Sequence, residues 1–222
     1  MKALQAVSVG LLPALCSACG HSCRFGAVLC TRCSRRLAGA EPLSGSGPPG
    51  LDRAWSSAAH EGVARDLVAA LKFRRLLPVA DLIAERIEWL APAGLLSGAI
   101  VPVPTSPLRS FGRGFDPATE IAAALAERAG LELCPCLARR GGGRQVGRRR
   151  AQRIGHPPRI HARREAPRSA LLVDDVLTTG ATLSACARAL RSAGTIRVGK
   201  HRPQLYDLCG RRRGSGNSLF DS

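Results

Sequence analysis

The sequence predicts an α/β fold, a parallel sheet flanked by helices, with a small four-cysteine module in front of it. Three observations carry this. Residues 170–182 read Ala-Leu-Leu-Val-Asp-Asp-Val-Leu-Thr-Thr-Gly-Ala-Thr. The unbroken apolar run suits a strand buried on both faces, as in parallel sheets. From Ala181 the apolar residues Leu183, Cys186, Ala187 and Leu190 fall at helical spacing, so the unit is strand, loop, helix. Upstream, helical periodicity brackets a second short apolar run at Ala99–Val103. Near the N-terminus, Cys16-x-x-Cys19 and Cys30-x-x-Cys33 are separated by ten residues.

Taken in order, residues 1–38 form a lead-in helix and the cysteine module, 39–53 a linker, 54–200 the main domain and 201–222 a basic, disordered tail. The N-terminal stretch to Leu15 is apolar, but Gln5 and Ser8 interrupt it. It is short for a membrane span and is read as an amphipathic helix rather than a secretory segment, which points to the cytoplasm. Gly, Ser and Pro between Ala40 and Gly50 signal the linker. Val63, Leu67, Ala70 and Leu71 mark a helix reaching Lys72-Phe73, and Val79, Leu82, Ile83, Ile87 and Leu90 mark a second after Pro78. Ala99–Val103 ends in Pro102-Val103-Pro104, a strand end with a constrained turn. A Gly-rich basic loop, Arg109–Asp116, precedes a helix that Asp116-Pro117 caps, carrying Ile121, Ala122, Leu125 and Ala126. The Arg-rich stretch 139–168 lacks periodicity and reads as a flap or hood. Thr195–Val198 is a last strand.

Two Cys-x-x-Cys pairs at this spacing are the ligand set of a closed, four-thiolate zinc site, with Cys16, Cys19, Cys30 and Cys33 as ligands. So small a segment cannot bury enough surface to fold alone, and Zn²⁺ would supply its stability. A disulfide pair and a redox Cys-x-x-Cys are the alternatives. Cys23 and His21 are substitute ligands that break the symmetry, while Cys134, Cys136, Cys186 and Cys209 show no ligand pattern.

The loop after the acidic pair lies where open α/β sheets bind ligands. Backbone N–H groups and the hydroxyls of Thr178, Thr179 and Thr182 at a helix N-terminus make a seat for a phosphate dianion. Asp174 and Asp175 disfavour a phosphate beside them but accept hydrogen bonds from two vicinal sugar hydroxyls. A phosphate cradle beside a diol clamp describes a ribose 5-phosphate site. The alternative is an Asp pair that caps a helix and binds nothing. No Gly-x-x-x-x-Gly-Lys-Ser/Thr run is present to take a nucleoside triphosphate.

At 222 residues and 45% hydrophobic the chain can bury a sizeable core, built from aliphatics because aromatics are only 4%. The net charge of +17 is concentrated. Leu137–Arg168 holds eleven Arg against Glu165 alone, and Lys200–Arg213 holds five basic residues against Asp207. Such segments attract phosphates, of a nucleotide or of single- or double-stranded DNA, unless they are plain solvated loops.

Leu171–Thr182 resembles the phosphoribosyl-pyrophosphate (PRPP) signature of type I phosphoribosyltransferases. That resemblance implies that Asp174 and Asp175 hold the ribose hydroxyls, and that Thr178, Thr179, Gly180, Ala181 and Thr182 form the 5′-phosphate loop. In chain order, the four-cysteine module, Leu71-Lys72-Phe73, Val101-Pro102-Val103-Pro104, Arg113-Gly114-Phe115-Asp116 and the signature are together similar to the ComF family (competence protein F, or GntX-like). The resemblance spans residues from about 10 to 200 and implies a type I phosphoribosyltransferase-like domain behind a zinc ribbon-like module. Departures are His156 where the family has Asn after Gln145 and Arg153, Pro117 where it has Gln, and an ending beyond Val198 that is not apolar.

Phosphoribosyl transfer displaces pyrophosphate from the anomeric carbon through an oxocarbenium-like transition state. It requires a fixed ribose, a neutralised leaving group and the exclusion of water. Asp174 and Asp175 serve the first need and act as the catalytic pair. Lys72 and Arg113 are candidates for the pyrophosphate side, and Mg²⁺ arrives largely on PRPP oxygens. No residue identifies the acceptor. Two readings follow: a phosphoribosyltransferase of nucleotide metabolism, or a non-catalytic PRPP- or nucleotide-binding accessory factor of DNA uptake, working with DNA or with uptake proteins.

Overall fold

The computed structural model describes residues 14–105, 114–140 and 158–198. The lead-in helix up to residue 13, Arg113, the middle of the Arg-rich hood with Gln145, Arg153 and His156, and the basic tail lie outside the described residues. Ala14–Leu15, placed at the end of that helix from sequence, are instead a strand.

That strand, β1, pairs antiparallel with β2 (Ser22–Cys23), and α1 (Thr31–Ala38) follows. The turn between the strands closes because the Gly20 N–H donates to the Cys16 carbonyl at 2.9 Å and the Cys16 N–H donates to that of His21 at 2.8 Å. The segment read as a linker does more than connect. Leu43–Gly45 forms β3, which pairs antiparallel with β4 (Ala54–Ser56) in the register Leu43↔Ser56. Three residues of Leu-Ser-Gly are too few to show an alternating pattern.

Helix α2 (Gly62–Arg74) buries Val63, Leu67, Val68, Ala70 and Leu71 and ends on Arg75, which is left-handed at φ 51°. Its last turn carries Lys72 and Arg74, cations where the helix dipole favours them. Helix α3 (Pro78–Leu90) starts on a proline, whose missing N–H would be unpaired there in any case. Helix α4 (Pro117–Ala129) is capped by Asp116, whose carboxylate accepts from the Ala118 N–H at 3.1 Å, and it ends on left-handed Gly130. Arg128 of α4 reaches Glu88 of α3 at 2.9 Å, fastening the two helices together.

The central sheet is parallel. Strand β5 (Ala99–Pro102) pairs with β8 (Ser169–Val173) from Ala99↔Ala170 to Pro102↔Val173, and β8 pairs with β9 (Arg197–Val198). On the other side of β5, Ile100 makes a parallel bridge to Leu133. All four residues of β5 are buried, as the unbroken apolar run requires. Gly98 enters this strand at φ +78°, and a Cβ there would lie 2.6 Å from the Ser169 carbonyl, so the approach of β5 to β8 depends on glycine.

Each face of the sheet has its own core. On one face Ile100 and Val173 pack with Leu67, Leu71, Val79, Ile121 and Leu125 from α2, α3 and α4. On the other, Val101, Ala170 and Val198 pack with Leu183, Cys186, Ala187 and Leu190 of α5 (Ala181–Ser192). A ribbon of β6 (Leu137–Arg139) and β7 (Ile160–Ala162), paired Leu137↔Ala162, covers this second face. The described ends of the Arg-rich hood are thus strands. Cys136 and Cys186 are ordinary core thiols, which burial pushes up to about 11 and about 12.

Candidate functional site

The chain leaves β5, passes through α4 and returns beside β5 at Leu133, whereas β8 joins the sheet on the opposite side of β5. The strand order therefore changes direction between β5 and β8. In open α/β sheets that switch point leaves a crevice at the carboxyl ends of the strands. Here those ends are held together by the Val103 N–H donating to the Val173 carbonyl at 2.9 Å. The residue that follows Val173 is Asp174.

Asp174 is half-buried, and loss of solvent around it pushes its carboxyl up to about 7. The charges of Asp175 and Asp116 push the same way, opposed by the Asp175 N–H, which donates to Asp174 Oδ1 at 2.9 Å, and by Lys72. Asp175 forms an ion pair with Lys72, Nζ to Oδ1 2.8 Å, with the two side chains 12% and 20% exposed. The pair is well shielded, so screening weakens it far less than it would a surface contact. Sequence reasoning assigned Lys72 to a pyrophosphate; the structure places it on the acidic pair. Asp116 not only caps α4 but also accepts from the Thr105 N–H at 3.0 Å, which fixes the backbone just beyond β5.

Past the acids the chain turns into α5 through Thr178, Thr179 and Gly180. Both threonines are exposed, as is Ala181, while Thr182 is half-buried. The Ala181 N–H reaches Thr179 Oγ1 at 3.5 Å. Gly180 is left-handed at φ +73° and buried: a Cβ on it would lie 2.7 Å from Pro48 Cβ. Only glycine satisfies both the torsion and the close approach. The supposed linker thus reaches the loop. It is moored by Arg191 of α5, which donates to the Gly50 carbonyl at 3.2 Å and pairs with Asp52 at 3.4 Å, and by the Asp52 N–H donating to the Val198 carbonyl at 3.2 Å.

Two further groups near the site were missed from sequence. His60 has its pKa lowered by burial and by the Lys72 cation, partly offset by Asp175. A cavity of about 980 Å³ runs from Asp174, Asp175 and Thr179 beneath the β3–β4 hairpin to α2 and α3. No local pattern announces either, because each is assembled from segments far apart in the chain. The arrangement offers two carboxylates at a switch point, one of them at the edge of protonation at neutral pH, beside a helix N-terminus with exposed hydroxyls.

At the N-terminus, one ligand atom from each of Cys16, Cys19, Cys30 and Cys33 lies within 4.8 Å of all the others. Cys19 Sγ and Cys30 Sγ are 3.7 Å apart. Tetrahedral zinc with Zn–S bonds of about 2.3 Å needs sulfurs about 3.8 Å apart, so the group can hold zinc. The His21 N–H and neighbouring thiols lower Cys19 to about 5, whereas burial and neighbouring thiols push Cys33 up to about 12. For Cys16 burial acts upward, but the N–H groups of Cys19, Cys30 and Ala18 hold it below the usual thiol range. Cys23 stands apart and donates to the Ala27 carbonyl at 3.4 Å. The module is not free-standing. Cys16, Cys33 and Leu37 belong to the α2–α4 core, and the Arg74 guanidinium of α2 donates to the Ser17 carbonyl.

No family model matches the chain. Over 96 residues it is 34% identical to "Competence protein ComFC" of Streptococcus pneumoniae, a stretch that spans 42% of each of the two chains. Among the described residues no helix is long and apolar enough to cross a membrane.

Proposed function

We propose that the chain is a ComF-family protein, a reading its partial similarity to Competence protein ComFC supports, and that it binds PRPP at the β5–β8 switch point in the manner of a type I phosphoribosyltransferase. The observation that carries the reading is the acidic pair just past the carboxyl end of a central parallel strand, directly before a hydroxyl-rich loop and a helix N-terminus. Asp174 and Asp175 accept hydrogen bonds from the ribose hydroxyls. Thr178, Thr179, Gly180, Ala181 and Thr182 take the 5′-phosphate. Lys72 holds the charge of the pair in check, and Mg²⁺ comes in with the substrate. Zinc on the four cysteines is structural, since four thiolates leave no open coordination position.

In the enzymatic form of this reading, the bond from the anomeric carbon to pyrophosphate breaks as the bond to an acceptor nucleophile forms. The two acids then face the positive charge that develops on the ribose. The competence name of the relative favours a second form, an accessory factor of DNA uptake in which PRPP or a nucleotide is a ligand and not a substrate. The two share the site and differ in turnover. Calorimetry with PRPP and Mg²⁺ tests the shared part: the parent protein binds, and Asp174→Asn with Asp175→Asn weakens binding by at least about tenfold, since each charged hydrogen bond is worth about 1.5–3 kcal/mol. Equal affinity in the double variant rejects the site. Pyrophosphate release during incubation with bases and amines separates enzyme from accessory factor.

A further inference from the structure

We propose that the cavity adjoining the acidic pair binds an aromatic small molecule bearing one anionic group, with its ring body against the apolar wall and its acid on Arg86. The cavity, about 980 Å³, is at the upper end of the range for small-molecule sites, and a ribose phosphate at Asp174 and Asp175 occupies only one end of it. The remainder is walled by Trp55, Leu67, Val68, Ile83, Ile87 and Leu171. A wall of branched aliphatics with one indole favours a flat apolar body over a sugar or a polyphosphate chain.

Arg86 brings a cation to this apolar half. Arg86 lies on α3 three residues after Ile83 and four after Leu82, so all three share a helix face, and all three line the cavity. Its Nε donates to the Ser57 carbonyl at 3.2 Å, and its Nη2 donates to the Ala40 carbonyl. Both partners are neutral, and no carboxylate pairs with Arg86 among the described residues. Burial lowers its pKa, the direction expected of a cation that lacks a counter-charge. A guanidinium has five donors, so donors remain for a carboxylate or sulfonate. Arg53 also lines the cavity and is engaged elsewhere, and so few cations suit a ligand with one acidic group and set this site apart from one built for nucleic acid, which needs many.

The inference rests on the proposed ribose clamp only for where the ligand sits relative to PRPP, not for whether it binds. The full-length protein is titrated with two fluorescent probes, anilinonaphthalene sulfonate and its uncharged counterpart phenylnaphthylamine. Each is expected to bind at one molecule per chain. Arg86→Gln should weaken the sulfonate by about tenfold or more and leave the neutral probe within about twofold. Ile83→Trp, which fills the wall, should weaken both. Asp174→Asn with Asp175→Asn should weaken neither, so loss of PRPP binding in that variant and loss of probe binding in the others fail independently. Equal sulfonate affinity in Arg86→Gln overturns the proposal, as does binding of several probe molecules that ignores Ile83→Trp. Should Ile83→Trp lose its native circular dichroism, the comparison of the two probes on Arg86→Gln decides alone.

Discussion

Asp174→Asn should make the protein more stable above neutral pH while weakening its proposed ligand site. Folding moves the carboxyl from its ordinary 3.8 to about 7, so the folded state binds a proton that the unfolded state releases across that window. Stability therefore falls as pH rises from about 4 to about 7 and stays low above it. The displacement is about three powers of ten in proton affinity, each worth about 1.4 kcal/mol, so ionised Asp174 costs on the order of 4 kcal/mol in the folded state. Asparagine carries no charge and keeps an oxygen for the Asp175 N–H that Asp174 accepts at 2.9 Å. Urea unfolding of parent and variant, followed by circular dichroism, should give equal stabilities near pH 4. Near pH 8 the variant should lead by about 2–4 kcal/mol. A gap between the two proteins that is the same at both pH values would refute the buried-acid argument.

Three other outcomes are expected. Cys33→Ser should abolish zinc in metal analysis of the purified protein and lower its thermal midpoint, because Cys33 is both a member of the thiol group and 4% exposed in the core; a zinc-free parent with these cysteines in disulfides would overturn the assignment. Gly180→Ala should destabilise by about 1–3 kcal/mol in urea unfolding, since it forces φ +73° on an alanine and drives a methyl into Pro48; an unchanged midpoint would show that the cover over the loop yields freely. Replacing Arg148, Arg149 and Arg150 with Ala should lower affinity for single- and double-stranded DNA alike, with a shallower salt dependence, and a parent that binds no DNA at low salt would assign the basic stretch another role.

What could be read from sequence is what local rules govern. The β8–loop–α5 unit was legible because a parallel strand buried on both faces is apolar throughout. Helices α2, α3 and α4 were legible from periodicity, from Pro78 and from Asp116-Pro117 at their starts. Strands β3, β4, β6 and β7 were not, because each is three residues long and Leu-Ser-Gly or Leu-Ala-Arg carries no alternation. At the candidate site, the acids and the threonines announced themselves by adjacency. Lys72 meeting Asp175, or Pro48 seated on Gly180, joins residues more than a hundred positions apart, and only the packed structure brings them together.

The sharing of Cys16, Cys33 and Leu37 with the core of α2, α3 and α4 bears on how the protein comes apart. A module with its own core would melt as a separate cooperative unit and leave the sheet standing. Here the thiol knuckle contributes side chains to the same cluster as Leu67 and Leu71, and Arg74 ties its backbone to the turn of α2 that also carries Lys72. The knuckle and the sheet therefore form one foldon. Thiol oxidation, and chelation of the proposed zinc, should register as a lower midpoint of a single transition, with the helix end that presents Lys72 to Asp175 losing its anchor in the same event.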